Sequence, residues 1–234
     1  MFIKIDPALF DRQSDYLIGV VVAEGVDNLT PNAEIKAFLE SAVVSQRQAL
    51  AGQSAKQIAG FDLYHEAMRS FGINPSRKLM SVEALMTRLL KGDDFPEISP
   101  VVDLSNAVSL EYHVPLGAHD IDSLTDDLTI RHVTPDDVFD DPSAPEGSGF
   151  DTDEVVYASG GSIRTRRWIW RQMPDGLLSE DVKNIVFPVD GFTANLDTVL
   201  AARDALALHL KRFFGCGTRV GLIDKTTPEF QISE

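Results

Sequence analysis

Cysteine and long apolar runs are the scarcest features of this 234-residue chain. The single cysteine, Cys216, excludes a disulfide within the chain and favours a reducing compartment. The longest apolar run covers residues 16–23 and is too short to cross a bilayer as a helix. The first ten residues lack the basic lead and the apolar stretch of a secretory signal. We therefore expect a cytoplasmic location and no membrane partner.

The common signatures of metal, nucleotide and nucleophile sites are also missing. The sequence has no HExxH, no P-loop, no dinucleotide fingerprint and no Gly-x-Ser-x-Gly elbow. Its histidines show no spacing that suits a metal ion, and there is no second cysteine to join them. We therefore expect no cofactor and no metal. The histidines are His65, His113, His119, His132 and His209.

Charge is plentiful but unevenly distributed. The formal net charge is −15, and −11 of it lies between Asp120 and Glu154, where there are twelve acids and one base. Residues 134–153 of this region are rich in Asp, Pro, Ser and Gly and are predicted to form a long loop of open function. Residues 155–174 have four arginines and no acid. The net charge argues against a polyanion partner, whereas this basic strip offers a surface for one.

Hydrophobic periodicity predicts an α+β fold. Strands are predicted over 2–5 and 16–22, followed mostly by helices, and the second half is mostly strands before a last helix that begins at Asn195. This order lacks a regular β-α-β alternation, so we expect a mostly antiparallel or mixed sheet. No repeat and no linker divides the chain. We expect one domain over 1–234, with a strand–helix part at 1–60 and a frayed tail at 225–234.

The stretch from Pro100 to Asp122 combines a helix with a histidine-bearing turn. Pro100 suits the first helical position and Pro115 ends the helix, which is predicted over 101–113. One stripe of the helix is apolar and another is polar, and two interpretations follow. The helix is a core helix with a solvated face, or it builds the floor of a pocket together with the turn. The apolar stripe is Val101, Leu104, Val108 and Tyr112, and the polar stripe is Asn106, Ser109 and His113.

The part of the basic strip from Ser162 to Gln172 contains both tryptophans of the chain. Read as one strand, it places Arg164, Arg166, Trp168, Trp170 and Gln172 on one face. Tryptophan beside arginine suits stacking on bases and pairing with phosphate or carboxylate. The alternative is a sheet packed by tryptophan, with arginines that reach water.

Four segments resemble the B3/B4 module of the phenylalanyl-tRNA synthetase β subunit, a tRNA-binding and editing module. The likeness extends over about residues 63–214 and is greatest to the free-standing proteins built from that module. It implies a three-layer α+β fold around an unusual β-sandwich, with a pocket between sheet and helices. In the synthetase the module hydrolyses tyrosine wrongly attached to tRNA. The segments are FGINPSRKLMSVEALMTRLLKG, VVDLSNAVSLEYHVPLGAHDID, RRWIWRQ and EDVKNIVFPVDGF.

Carried over residue by residue, the resemblance is incomplete at the editing site. The family's pocket histidine falls on Gly117 and its pocket glutamate falls on Pro188. The nearest histidine is His119, where the family has Phe. The resemblance therefore implies the fold, while the chemistry of the pocket differs. Five further positions match the family: Asp103 and Asn106 fall on its Asp and Asn in the helix, and Pro115, Ala118 and Asp120 also match.

Three functional hypotheses follow. The first is a trans-editing hydrolase that acts on mischarged aminoacyl-tRNA 3′ ends, although it is not a complete synthetase. The second is a non-catalytic tRNA- or RNA-binding module. The third is a protein that binds a small molecule, an amino acid or an adenosine-type compound, without nucleic acid. The oligomeric state and the enzymatic status stay open.

The first hypothesis assigns roles to individual residues. His119 or His113 would serve as the base, and Asn106 would orient the ester. The tryptophans would stack on adenosine or on the amino acid, the arginines would meet phosphate or carboxylate, and the remaining polar groups would hydrogen-bond the substrate. The expected substrate-binding residues are Arg166, Trp168, Trp170, Arg171, Gln172, Lys183 and Asn184.

Overall fold

The computed structural model describes residues 1–138, 149–151 and 153–233. Among them are five α-helices and ten strands, and none of these helices is long and apolar enough to cross a membrane. The helices are α1 (Ala33–Ala49), α2 (Phe61–Ser70), α3 (Ser81–Lys91), α4 (Pro100–Tyr112) and α5 (Leu196–Phe214). The strands are β1 (Phe2–Ile5), β2 (Tyr16–Glu24), β3 (His119–Asp120), β4 (Leu128–His132), β5 (Val155–Ser159), β6 (Ser162–Arg166), β7 (Arg171–Gln172), β8 (Asn184–Phe192), β9 (Gly217–Ile223) and β10 (Glu229–Gln231).

The strands form two sheets. The six-stranded sheet has the order β10-β1-β4-β5-β6-β7, and the four-stranded sheet has the order β3-β8-β2-β9. Strands β1 and β4 pair in parallel and the other neighbours pair antiparallel. The predicted α+β class with a mixed sheet is confirmed. The tail expected to fray instead contains β10, which pairs with β1 so that Lys4 faces Glu229.

Burial on both faces explains the apolar run of β2. One set of its side chains packs toward the six-stranded sheet and the alternate set packs toward α4 and α5. The four-stranded sheet therefore lies between the other sheet and these two helices, and polar residues are scarce along β2 and β8. The first set is Tyr16, Ile18, Val20 and Val22, and the second is Leu17, Val21 and Ala23.

Helix α4 follows the predicted pattern closely. Its backbone begins at Pro100 after Ser99, and the carboxylate of Asp103 accepts the N–H of Ile98 at 2.9 Å. The apolar stripe is buried as expected, with Val101, Leu104 and Val108 all inaccessible to solvent. The helix ends where His113 adopts the left-handed conformation with φ of 57°. The chain then turns sharply toward β8.

The basic strip is a hairpin and not the single strand that the alternation predicted. Strand β6 ends at Arg166 and β7 begins at Arg171, because Arg167 and Trp168 adopt positive φ angles of 49° and 60°. Each such angle costs about 1–2 kcal/mol for an L-residue. Burial of Trp168 and a 3.1 Å hydrogen bond from the Arg167 N–H to the Glu154 carboxylate offset that cost. The prediction that Trp168, Trp170 and Gln172 continue the strand face of Arg166 is therefore wrong.

The acidic loop predicted over 134–153 falls partly outside the described residues, which omit 139–148 and 152. At its beginning, the carboxylate of Asp137 forms two 2.7 Å hydrogen bonds with Arg131. At its end, Glu154 is buried against β6. Both ends of the loop are therefore fixed on the six-stranded sheet by ion pairs.

Candidate functional site

A pocket with a volume of about 70 Å³ opens where the turn after α4, strand β8 and the β6–β7 hairpin meet. The turn contributes residues 115–119, and β8 contributes Pro188 and Asp190. The hairpin contributes Thr165 and residues 168–172. The turn after α4 lines this pocket as predicted, but no residue of α4 itself does, and β8 supplies the rest of the floor. Apolar groups dominate its walls, as is usual for small-molecule sites.

Gly117 packs closely against Pro188 in this pocket. Its N–H donates to the Pro188 carbonyl at 2.9 Å, which joins the turn to β8. A Cβ at this position would lie 3.2 Å from Pro188 Cγ and 3.5 Å from His119 Nε2. Residues two apart in extended backbone project to the same face. The imidazole of His119 therefore lies against the space that a side chain at Gly117 would enter.

His119 is a buried and neutral histidine. It is 2% exposed and its ring stacks on that of Tyr157, with centroids 5.5 Å apart. Burial, together with a smaller effect of the Arg164 charge, lowers the pKa of His119 to about 3. Among the described residues, its Nδ1 has no hydrogen-bond partner. A neutral imidazole can donate through one nitrogen and accept through the other, so it can orient a water molecule or a ligand group.

Asp190 is the pocket residue that sequence reasoning missed. Its Oδ1 accepts hydrogen bonds from the Tyr16 hydroxyl at 2.5 Å, the Tyr157 hydroxyl at 2.7 Å and the Trp168 indole at 3.0 Å. Burial raises the pKa of Asp190 to about 6, against the opposing effect of these bonds. The sequence did contain one signal, an acid inside the apolar run of β8. In the structure, a buried carboxylate with a shifted pKa in a cleft marks a candidate site.

Comparison with known families identifies the chain. The family model described as "B3/4 domain" matches residues 63–209, which is more than half of the sequence. The chain belongs to the B3/4 domain family. The match confirms the resemblance found over about 63–214.

One solved structure similar to this B3/4 chain is an N-terminal fragment of the phenylalanyl-tRNA synthetase β subunit from Pyrococcus horikoshii. The identity is 13% and the TM-score is 0.44. The alignment covers 93% of this chain and 50% of that fragment, so the B3/4 chain spans about half of its length. A comparison with curated proteins found no match.

The two tryptophans of the B3/4 chain have different environments. Trp168 is completely buried and edge-packed on Tyr16 and Phe71, so it borders the pocket floor without a face that a base could stack on. Trp170 is half-buried and lines the pocket, and Lys78 Nζ lies 3.8 Å from the centroid of its ring. Of the two tryptophans expected to stack on substrate, the structure brings only Trp170 to an accessible position.

The predicted polar residues of the hairpin also divide. Arg166 is buried and forms two hydrogen bonds with the Glu154 carboxylate, at 2.9 and 2.7 Å, outside the pocket lining. Arg171 is exposed and lines the pocket. Gln172 lines it as well, and its amide donates to the carbonyls of Ala118 and Gly176, which ties the hairpin to the turn.

Besides Arg166, four predicted site residues lie outside the pocket lining. His113 Nε2 lies 2.8 Å from the side-chain oxygen of Gln46, and burial lowers the pKa of His113. Asn184 donates to both carboxylate oxygens of Asp122, at 2.9 and 3.1 Å. Asn106 is half-buried on α4 and Lys183 is exposed. The polar stripe of α4 therefore stabilises local structure, and His119 is the histidine that reaches the pocket.

No group of three or more metal-binding side chains occurs among the residues that the structure describes. Among the described residues, the buried ionisable side chains that line the pocket are His119, Tyr157 and Asp190. Histidine and aspartate can hold water, a hydroxyl or an amine by hydrogen bonds. The arrangement suits binding of an uncharged or singly charged organic group.

Proposed function

We propose that this B3/4 chain binds the aminoacyl group at the 3′ end of a tRNA and hydrolyses its ester bond. Membership of the B3/4 family, and the name of the similar synthetase fragment, support a substrate related to tRNA. The apolar walls of the pocket suit the side chain of an amino acid.

A single observation carries the proposal: the buried, neutral His119 lines the pocket, with its Nε2 3.5 Å from where a Cβ at Gly117 would lie. In the family pattern the pocket histidine falls on Gly117, so the imidazole has moved two residues along the same face. An aminoacyl ester is an activated substrate, and an enzyme gains most by placing water and stabilising the oxyanion. Water adds to the ester carbonyl, the bond to the ribose oxygen breaks, and the ribose hydroxyl leaves with a proton. His119 orients the attacking water.

Deacylation of a panel of aminoacyl-tRNAs by the purified chain tests this proposal. At least one aminoacyl-tRNA should lose its amino acid faster than in buffer. The variant His119→Gln should lower kcat for that substrate by about 100-fold, because a positioned polar group contributes on that order. The matched control is His209→Gln, on α5 outside the pocket lining, which should keep the parent rate.

Two results would contradict the proposal. If no aminoacyl-tRNA is deacylated faster than in buffer, the chain is not a hydrolase of this class. If His119→Gln retains the parent rate on the best substrate, His119 does not orient the water.

The low pKa of His119 favours a second candidate, an aminoacyl-tRNA binder without turnover. An imidazole with a pKa of about 3 is a weak base at neutral pH. This version expects binding that weakens steeply as salt rises, with no deacylation. Fluorescence anisotropy of a labelled aminoacyl-tRNA over a salt series measures it. Absent or salt-independent binding would contradict it.

A further inference from the structure

Two basic segments of this acidic chain meet at the mouth of the pocket. Residues 67–82 and 155–174 have no acidic residue, although the chain has a net charge of −15. They are joined by a 2.9 Å hydrogen bond from the Ser81 N–H to the Ile169 carbonyl. Nearby, Lys78 lies over the ring of Trp170. The fold thus gathers cations from two separate parts of the sequence beside the pocket.

Two clefts continue this basic surface away from the pocket. The first, of about 270 Å³, is lined by Arg77, Lys78 and Arg167, and also by the acids Asp151, Asp153 and Glu154. The second, of about 500 Å³, shares Arg77 and adds Lys56 and Lys91. No acid is among the described residues that line the second cleft. We name the resulting surface the cationic band, which consists of Lys56, Arg77, Lys78, Lys91, Arg167 and Arg171.

The band has a paired end and an open end. At the paired end, Arg167 lies 3.0 Å from the Asp151 carboxylate and 3.7 Å from that of Glu154. At the open end, Lys56, Arg77 and Lys91 are all exposed. Between them, burial and the neighbouring arginine charges lower the pKa of Lys78, so cations are crowded there. An anion that bridges the band would reduce this repulsion.

We propose, on the basis of the function proposed above, that the cationic band binds the phosphates of the single-stranded 3′ end of tRNA. The strand runs from the second cleft, past Trp170, to the pocket that holds the aminoacyl group. An aromatic side chain among cations is the composition of surfaces that bind single strands, where bases stack and phosphates pair. An acidic peptide is the competing polyanion, and neither Trp170 nor the adjoining pocket is needed to bind one.

The test compares two triple variants that remove the same charge. The band variant is Lys56→Gln/Arg77→Gln/Lys91→Gln. The matched control is Lys36→Gln/Lys211→Gln/Arg212→Gln, whose exposed residues lie on α1 and α5. The probe is a fluorescein-labelled RNA minihelix that is not aminoacylated and has four unpaired nucleotides at its 3′ end. A blunt minihelix and a poly-glutamate peptide are the comparison probes, and anisotropy is measured over a salt series.

The band variant should bind the overhang minihelix about tenfold more weakly at low salt, and its log–log salt slope should fall by about 2. The control variant should stay within twofold of the parent. Equal losses in the two variants would overturn the proposal, since total charge would then be the cause. The same loss with the blunt minihelix would overturn it for a single strand. Tighter binding of poly-glutamate, with the same dependence on the band, would assign the surface to an acidic protein.

A phosphate-free probe separates this proposal from the proposed function. A panel of adenosines with an amide-linked 3′-aminoacyl group contacts the pocket and has no phosphate for the band. If the parent and the band variant bind it equally while only the variant loses the minihelix, both proposals stand. If the parent binds no member of the panel but minihelix binding depends on the band, the pocket function fails and the band stands. If the panel binds and the band variant keeps full minihelix affinity, the reverse holds.

Discussion

The interior of the pocket and the cationic band beside it differ in whether their side chains are charged and exposed. Inside, burial disfavours charge, since it keeps His119 neutral and raises the pKa of Asp190 to about 6. Outside, Lys56, Arg77 and Lys91 stay exposed and charged. A desolvated interior discriminates by shape and by hydrogen bonds, whereas an exposed band attracts any polyanion and is screened by salt. Under the two proposals, the pocket would select the amino acid and the band would retain the RNA.

The two tryptophans mark the boundary between these regions, and replacing them gives the largest expected effect. Trp168→Ala should lower the free energy of unfolding by about 3–5 kcal/mol, because it empties a fully buried site and removes the hydrogen bonds to Tyr16 and Asp190. Trp170→Ala, at the half-buried mouth, should cost about 1 kcal/mol. Urea denaturation of both variants measures the difference. Equal losses of unfolding free energy in the two variants would mean that the boundary between pocket interior and pocket mouth does not lie between Trp168 and Trp170.

The pH dependence of stability sharpens the comparison, because the two buried groups should act in opposite directions. The folded state holds the proton of Asp190 more tightly than the unfolded chain does, so its contribution falls as pH rises from about 4 to 6. The unfolded chain holds the proton of His119 more tightly, so its contribution rises over the same window.

Single variants should separate these two contributions. We expect the stability difference between parent and Asp190→Asn to decrease by about 2 kcal/mol from pH 4 to pH 6, and that between parent and His119→Gln to increase by a similar amount. Urea denaturation at pH steps across this window gives both curves. Difference curves with the same sign of slope would contradict the assigned protonation states.

Gly117→Ala should have the smallest effect on stability. Its effect on binding should be limited to ligands that enter the pocket. The new Cβ would lie 3.2 Å from Pro188 Cγ, a contact that small shifts can relieve at a cost of about 1 kcal/mol. Because the methyl group narrows the pocket, binding of the phosphate-free aminoacyl probe should weaken while minihelix binding stays unchanged. Gly217→Ala, where a Cβ would meet nothing within 4 Å, is the control. A loss of minihelix affinity in Gly117→Ala would break the division between pocket and band.

Local patterns predicted the parts of the fold that local forces determine. The bounds and the buried stripe of α4 followed from helical periodicity and two prolines. The family fold followed from the resemblance. The resemblance also showed that a glycine, Gly117, stands where the family has its pocket histidine.

Non-local contacts explain what the sequence did not reveal. The positive φ of Arg167 is stabilised by Glu154, thirteen residues earlier in the chain, so strand alternation failed there. The network around Asp190 joins it to Tyr16, which is 174 residues away. Strand β10 pairs with β1 across almost the whole chain. Periodicity carries no information on such pairings.

The position of β2 affects how the protein is made on the ribosome. This apolar strand lies between β8 and β9, and β8 begins at Asn184, 160 residues after β2 ends at Glu24. At 5–20 residues per second, β2 waits roughly 8–32 seconds for its first partner strand to be synthesised. During that interval a nine-residue strand with eight buried positions has no sheet to join. The strand order therefore leaves an apolar segment without its native partner strands during that interval, and exposed segments of this kind are prone to aggregation.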